Sequence, residues 1–211
     1  MLNKTSAVIL PETLQLLEIL QSDRVFDSFY LVGGTALALH IGHRLSVDLD
    51  LFTTTDFDTV SIEQHLTANY LFASDYVAKN TLKGFVNHVK VDFIAHPFAL
   101  VQPILRVENL RLASLEDIAA MKLNAIAHNG TRQKDFYDLY FLLEIEPLSI
   151  WLNAYETKYP KSNPLTSLKS LTYFNDVNLA FDKPMLNRKV TFKAVQQRLT
   201  KAVQHPNLRF S

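Results

Sequence analysis

An α+β fold, with a mixed-sheet core over residues 1 to about 110 and a helical lobe from 111 to 211, is predicted by three observations along this chain. A short apolar run ends in Gly33-Gly34-Thr35 and leads into an apolar stretch that stops at Gly42, which reads as strand, turn and helix. Two later segments, Ser46–Phe52 and His88–Ala95, alternate apolar and polar residues as half-buried strands do. After Arg111 the pattern becomes helical, punctuated by Pro147, Pro160, Pro164 and Pro184.

A first helix is expected from about Glu12 to Ser22, followed by a strand over Phe29–Val32. The glycine pair behind that strand lets backbone N–H groups come close to a ligand. Thr35 is the expected N-cap of the next helix and Gly42 its stop. A helix N-terminus after a glycine turn favours an anion.

In the next strand the alternation puts Ser46, Asp48, Asp50 and Phe52 on one face and Val47, Leu49 and Leu51 on the other. Asp48 and Asp50 therefore point the same way. Two carboxylates so placed repel unless a proton or cation lies between them, and Mg²⁺ is usually held by one or two carboxylates with substrate phosphates. The alternative is an edge strand with a solvated acidic face; the upstream Gly-Gly-Thr turns the reading toward metal and phosphate.

A helix near Ile62–Asn69 and a strand pair spanning Leu71–Ile94 are expected next. His88, Lys90, Asp92 and Ile94 share one face of the later strand, where Asp92 is a lone acid. A two-metal phosphoryl-transfer site needs an acid that holds the catalytic ion beside the nucleophile. Asp92 suits that role; its other reading is a strand-end residue facing water.

Ser114 and Asp117 form a capping box for a helix that Asn129-Gly130 stops. Asp117, Asn124 and His128 make its polar face, while Lys122 falls opposite, among Leu115, Ile118, Ala125 and Ile126. A lysine there either snorkels or meets an anion, a substrate phosphate or a partner carboxylate. The following helix, about Arg132 to Glu144, is apolar on nearly every side, with Lys134, Asp135 and Asp138 in its one polar stripe.

A hydrophobic content of 48% suffices for a real core. There is no cysteine, which excludes disulfides and cysteine-based metal or nucleophile chemistry. The first residues lack a signal pattern and no window reaches the length of a membrane span, so a cytoplasmic location is the expectation. Net charge is zero, yet residues 156–211 carry +7 and residues 1–155 carry −7. The basic C-terminal part, with Lys158, Lys161, Arg188, Lys189 and Arg198 among its cations, is either a nucleic-acid surface or a set of solvated helix faces. His40, His43, His65 and His88 have no partners at metal-ligand spacing.

Together, Gly33-Gly34-Thr35, the run Arg44 to Phe52, Lys90-Val91-Asp92 and the segment Ser114 to Leu143 resemble the AbiEii/AbiGii toxin type of nucleotidyltransferase, within the DNA polymerase β-like superfamily. The resemblance covers most of the chain, and the segment from Leu115 to Leu143 is its most specific part. It implies a Mg²⁺-dependent transfer of a nucleoside monophosphate from an NTP to an acceptor hydroxyl, with tRNA a candidate acceptor and a cognate antitoxin a candidate partner. Gly33, Gly34, Thr35 and Ser46 would then bind the nucleotide, and Asp48, Asp50 and Asp92 the metal. Lys122 would neutralise phosphate charge, and the resemblance implies a role for Asp138 at the nucleotide. A non-catalytic binding protein and a metal-dependent phosphohydrolase are the competing readings.

Overall fold

Pro11 occupies the first turn of the first helix, where its missing N–H costs nothing, and the helix runs on to bury Leu16, Leu17 and Leu20. It opens the first of two units into which the chain, described over residues 1–211 by a computed structural model, divides: Met1–Ala99 with Pro103–Ser114, and Leu100–Gln102 with Leu115–Ser211. The first unit contains α1 (Pro11–Ser22), β1 (Tyr30–Leu31), α2 (Gly33–Ile41), β2 (Leu49–Thr53), α3 (Thr59–Tyr70), β3 (Phe72–Ala78), β4 (Thr81–Val86), β5 (Val89–Ala95), β6 (Leu105–Val107) and β7 (Leu110–Leu112). Its strands form one seven-stranded sheet in the order β3-β4-β5-β2-β1-β7-β6. The sheet is mixed, as expected: β2 runs parallel to β5 and β1 parallel to β7, while the other neighbours are antiparallel.

Where a strand pair was expected over Leu71–Ile94, three strands form a meander. The turns between them centre on Lys79-Asn80 and Asn87-His88, and both asparagines take the left-handed conformation, at φ 59° and 54°. Asparagine visits that region at lower cost than most residues. His88 thus sits in a turn, and β5 starts at Val89. One face of the sheet buries Leu49, Leu51, Leu82, Val91 and Phe93. Phe93 is packed by Phe26 and Phe29, each with ring centroids 5.2 Å from its own.

The last strand of this unit ties back to the first helix. Arg111, buried on β7, donates from Nε to the Phe29 carbonyl at 3.0 Å, from Nη1 to Gln21 at 2.7 Å and from Nη2 to Phe26 at 2.9 Å. Burial pushes its pKa down from the ordinary arginine value, yet the group stays charged. Arg111→Ala removes three charged hydrogen bonds, with the Phe26 carbonyl keeping only the Phe29 N–H, so an unfolding titration should show a loss of about 3 kcal/mol. A loss below about 1 kcal/mol would mean that water replaces the guanidinium freely.

The second unit contains α4 (Leu115–His128), α5 (Gln133–Leu142), α6 (Leu148–Lys158), α7 (Pro164–Ser170) and α8 (Phe192–Gln204). Its helices begin at Leu115 rather than at residue 111, because Leu110–Leu112 are drawn into the sheet by β6 and β1. Helix α5 is buried at every position except Lys134, in keeping with its all-round apolar sequence. Asn163 and Thr191 cap α7 and α8 by accepting from Leu165 and Ala194 N–H groups. No helix of the chain is long and apolar enough to cross a membrane.

Candidate active site

Asp50 and Asp92 are brought side by side by strand register. The parallel pairing of β2 with β5 sets Asp50 opposite Asp92, so two residues far apart in sequence become neighbours on one face. The opposite face of the same strands is the apolar core, which fixes the register, since a slip of one residue would bury both acids in it.

The glycine turn closes on this pair. Gly33 has φ +69°, and a Cβ built there would lie 2.2 Å from Asp50 Oδ2. A side chain is therefore excluded twice, by backbone conformation and by the carboxylate. At Gly34 a Cβ would meet Arg44 Nη2 at 2.1 Å. The two glycines admit the Asp50 carboxylate and the Arg44 guanidinium against the start of α2.

Thr35 is not the N-cap. The extended conformation of Val32 followed by Gly33 starts α2 three residues earlier, with Val32 at the N-cap and no side-chain cap. Thr35 is buried instead, its hydroxyl 2.9 Å from Ser46 Oγ and hydrogen-bonded to the Asp48 carbonyl. Both hydroxyls thus brace the helix start against the chain entering β2. The first N–H groups of a helix have no intrahelical acceptor, and α2 opens with no side-chain cap. Gly42 ends α2 as expected, at φ +67°.

Asp48 lies just before the regular strand that carries Asp50. Ser46 makes one isolated bridge to Ile9, so regular β2 begins only at Leu49 and Asp48 precedes it. No three acidic or histidine side chains are gathered into a group suited to a metal ion. Fit to a divalent cation therefore rests on Asp50 and Asp92, and it is favourable. Asp92 is buried, and its Oδ1 has no hydrogen-bond partner; a buried carboxylate oxygen left so is costly. Two carboxylates with substrate phosphates make a normal Mg²⁺ donor set.

In the helical unit Lys122 is buried and meets anions, which decides between snorkelling and pairing. Its Nζ lies 2.6 Å from Asp135 Oδ1 and 2.8 Å from Asp138 Oδ2. The partner carboxylates come from the next helix, and Asp138 is fully buried. Asp117 is equally buried; it accepts from Lys158 Nζ at 2.7 Å and from the Val101 and Gln102 N–H groups at 3.1 Å.

Lys83 escaped the sequence reading. It faces Asp92 across the β4–β5 pairing, with Nζ 3.2 Å from Oδ2. The turn at Asn87-His88 was the available signal: counting outward from Val86 opposite Val89 brings Lys83 opposite Asp92.

The sequence profile of the family described as "Nucleotidyl transferase AbiEii toxin, Type IV TA system" matches residues 15–206. An uncharacterized protein of Aquifex aeolicus is 34% identical over 177 residues, which span 78% of this chain and 82% of that protein. Among solved structures, the nucleotidyltransferase toxin MenT4 of Mycobacterium tuberculosis superposes with a TM-score of 0.58 at 17% identity, over 89% of this chain and 82% of that one. JHP933 of Helicobacter pylori gives 0.52 at 17% identity, over 92% and 91%. The structural likenesses bear on the fold. The profile match, extending over nearly the whole chain, places this protein in the AbiEii nucleotidyltransferase toxin family, as an enzyme of nucleotidyl transfer.

Proposed function

We propose that the enzyme is a Mg²⁺-dependent transferase that moves a nucleoside monophosphate from an NTP to an acceptor hydroxyl, releasing pyrophosphate, with RNA such as tRNA as acceptor. The observation that carries the reading is the in-register Asp50–Asp92 pair beside a side-chain-free turn.

In this reading the backbone N–H groups at Gly33 and Gly34 bind triphosphate oxygens at the head of α2. Thr35 and Ser46 hold that turn rather than contacting phosphate through their hydroxyls. Asp50 and Asp92 hold the divalent cation, with Asp48 as a further ligand on the nucleotide side. When bound, the cation supplies charge stabilisation for the in-line displacement. Asp92 also accepts the acceptor hydroxyl's proton. Lys122, paired with Asp135 and Asp138, braces α4 against α5 within the helical unit. A cognate antitoxin is the expected genetic partner of a type IV toxin.

The test is to incubate the purified protein with each α-³²P-labelled NTP in turn, with Mg²⁺ or with EDTA, adding total tRNA, lysate protein or nothing. Label should move to RNA in the Mg²⁺ arm and in no EDTA arm. Release of labelled nucleotide to water alone would assign a phosphohydrolase, and metal-dependent NTP binding without any product a non-catalytic role.

A further inference from the structure

The row of residues that contains the acid pair continues one strand outward with a residue of opposite sign. Across β4, β5 and β2 the register aligns Lys83, Asp92 and Asp50 on one face, in the order cation, anion, anion. Lys90, two residues before Asp92 on the same face, brings a second ammonium to 3.9 Å from Oδ2. Both lysines bear on the same carboxylate oxygen. Their side chains are 35% and 41% exposed, against 8% for Asp92.

The two oxygens of Asp92 are therefore unequal. Oδ2 has a cation at contact distance, whereas Oδ1 is buried and has no hydrogen-bond donor from the chain. An ammonium on Oδ2 fixes the plane of the carboxylate and offsets the repulsion between Asp92 and Asp50. It also opposes any second cation brought to the same group, because like charges a few ångströms apart repel even through water.

We propose that Lys83 is a positioning residue with two effects: it orients Asp92 so that Oδ1 is presented to the divalent cation, and it weakens binding of that cation in the absence of nucleotide. The inference rests on the reading of Asp50 and Asp92 as metal ligands. Its consequence is an ordered loading of the site. Free metal ion meets two carboxylates already partly neutralised and binds weakly, whereas a metal–nucleotide complex brings the negative charge that restores the balance. Lys90, farther from Oδ2, acts in the same sense and less strongly.

The experiment is a Mn²⁺ titration of nucleotide-free protein, with free Mn²⁺ read by electron paramagnetic resonance, for wild type, K83M, K83Q, K83R, D50N and D92N. K83M and K83Q should bind Mn²⁺ about three- to tenfold more tightly than wild type, and K83R should match wild type. The K83M/D92N double variant should lose the gain, which a merely structural role of Lys83 would not produce. Unchanged or weaker Mn²⁺ binding by both K83M and K83Q, with circular dichroism matching wild type, overturns the proposal. Failure of the underlying metal reading looks different: D50N and D92N would then bind Mn²⁺ as wild type does.

Discussion

D50A is expected to reduce nucleotidyl transfer by about a thousandfold or more while leaving the protein folded. Asp50 is half-buried on a strand whose other face supplies the core, so its truncation removes no apolar packing. It removes one of two neighbouring carboxylates from the proposed metal site, and stabilisation of developing charge is commonly the largest single contribution to catalysis. Single-turnover transfer of labelled nucleotide, with circular dichroism as the check on folding, measures the effect. D92N should fall comparably, and the D50A/D92N double variant little further, because ligands of one ion act as a unit. A D50A protein with full Mg²⁺-dependent transfer would remove Asp50 from the mechanism.

D117A should be the most destabilising substitution in the helical unit. Asp117 and Lys158 are both buried, and the aspartate also accepts two backbone N–H groups from residues 101 and 102. Breaking a buried pair by deleting one partner leaves an uncompensated charge and typically costs about 3–5 kcal/mol. For a chain of this size that corresponds to a fall in Tm of about 10 °C. The D117A/K158M variant separates the causes. It discards the stranded ammonium but not the two stranded N–H groups, so thermal unfolding should show partial recovery. If D117A melts with wild type, the pair is dispensable.

The acid pair was legible because its two halves obey local rules. Alternation alone put Asp50 and Asp92 on the polar faces of strands flanked by apolar residues. Their adjacency was not legible, since it depends on β2 and β5 pairing in parallel across an intervening helix and hairpin. Thr35 shows the opposite failure. Its residue type fits a cap, but the positive φ open to Gly33 allowed the helix to start sooner. For Lys122, helical spacing revealed an awkward cation inside an apolar stripe; only the packing of α4 with α5 identified its anions as Asp135 and Asp138.

The order of the sheet bears on when this protein becomes whole during synthesis. Strands β3, β4 and β5 are joined by tight turns and can pair as soon as they leave the ribosome. Strand β1, by contrast, has β7 as one of its two neighbours, and the guanidinium that gathers the carbonyls of residues 21, 26 and 29 is that of Arg111. A nascent chain that has not yet exposed Leu112 thus carries its acid pair beside an open strand edge and an unpinned first helix. A chain that ends before Leu112 therefore keeps an unpaired edge on β1, the kind of edge that templates pairing with other chains.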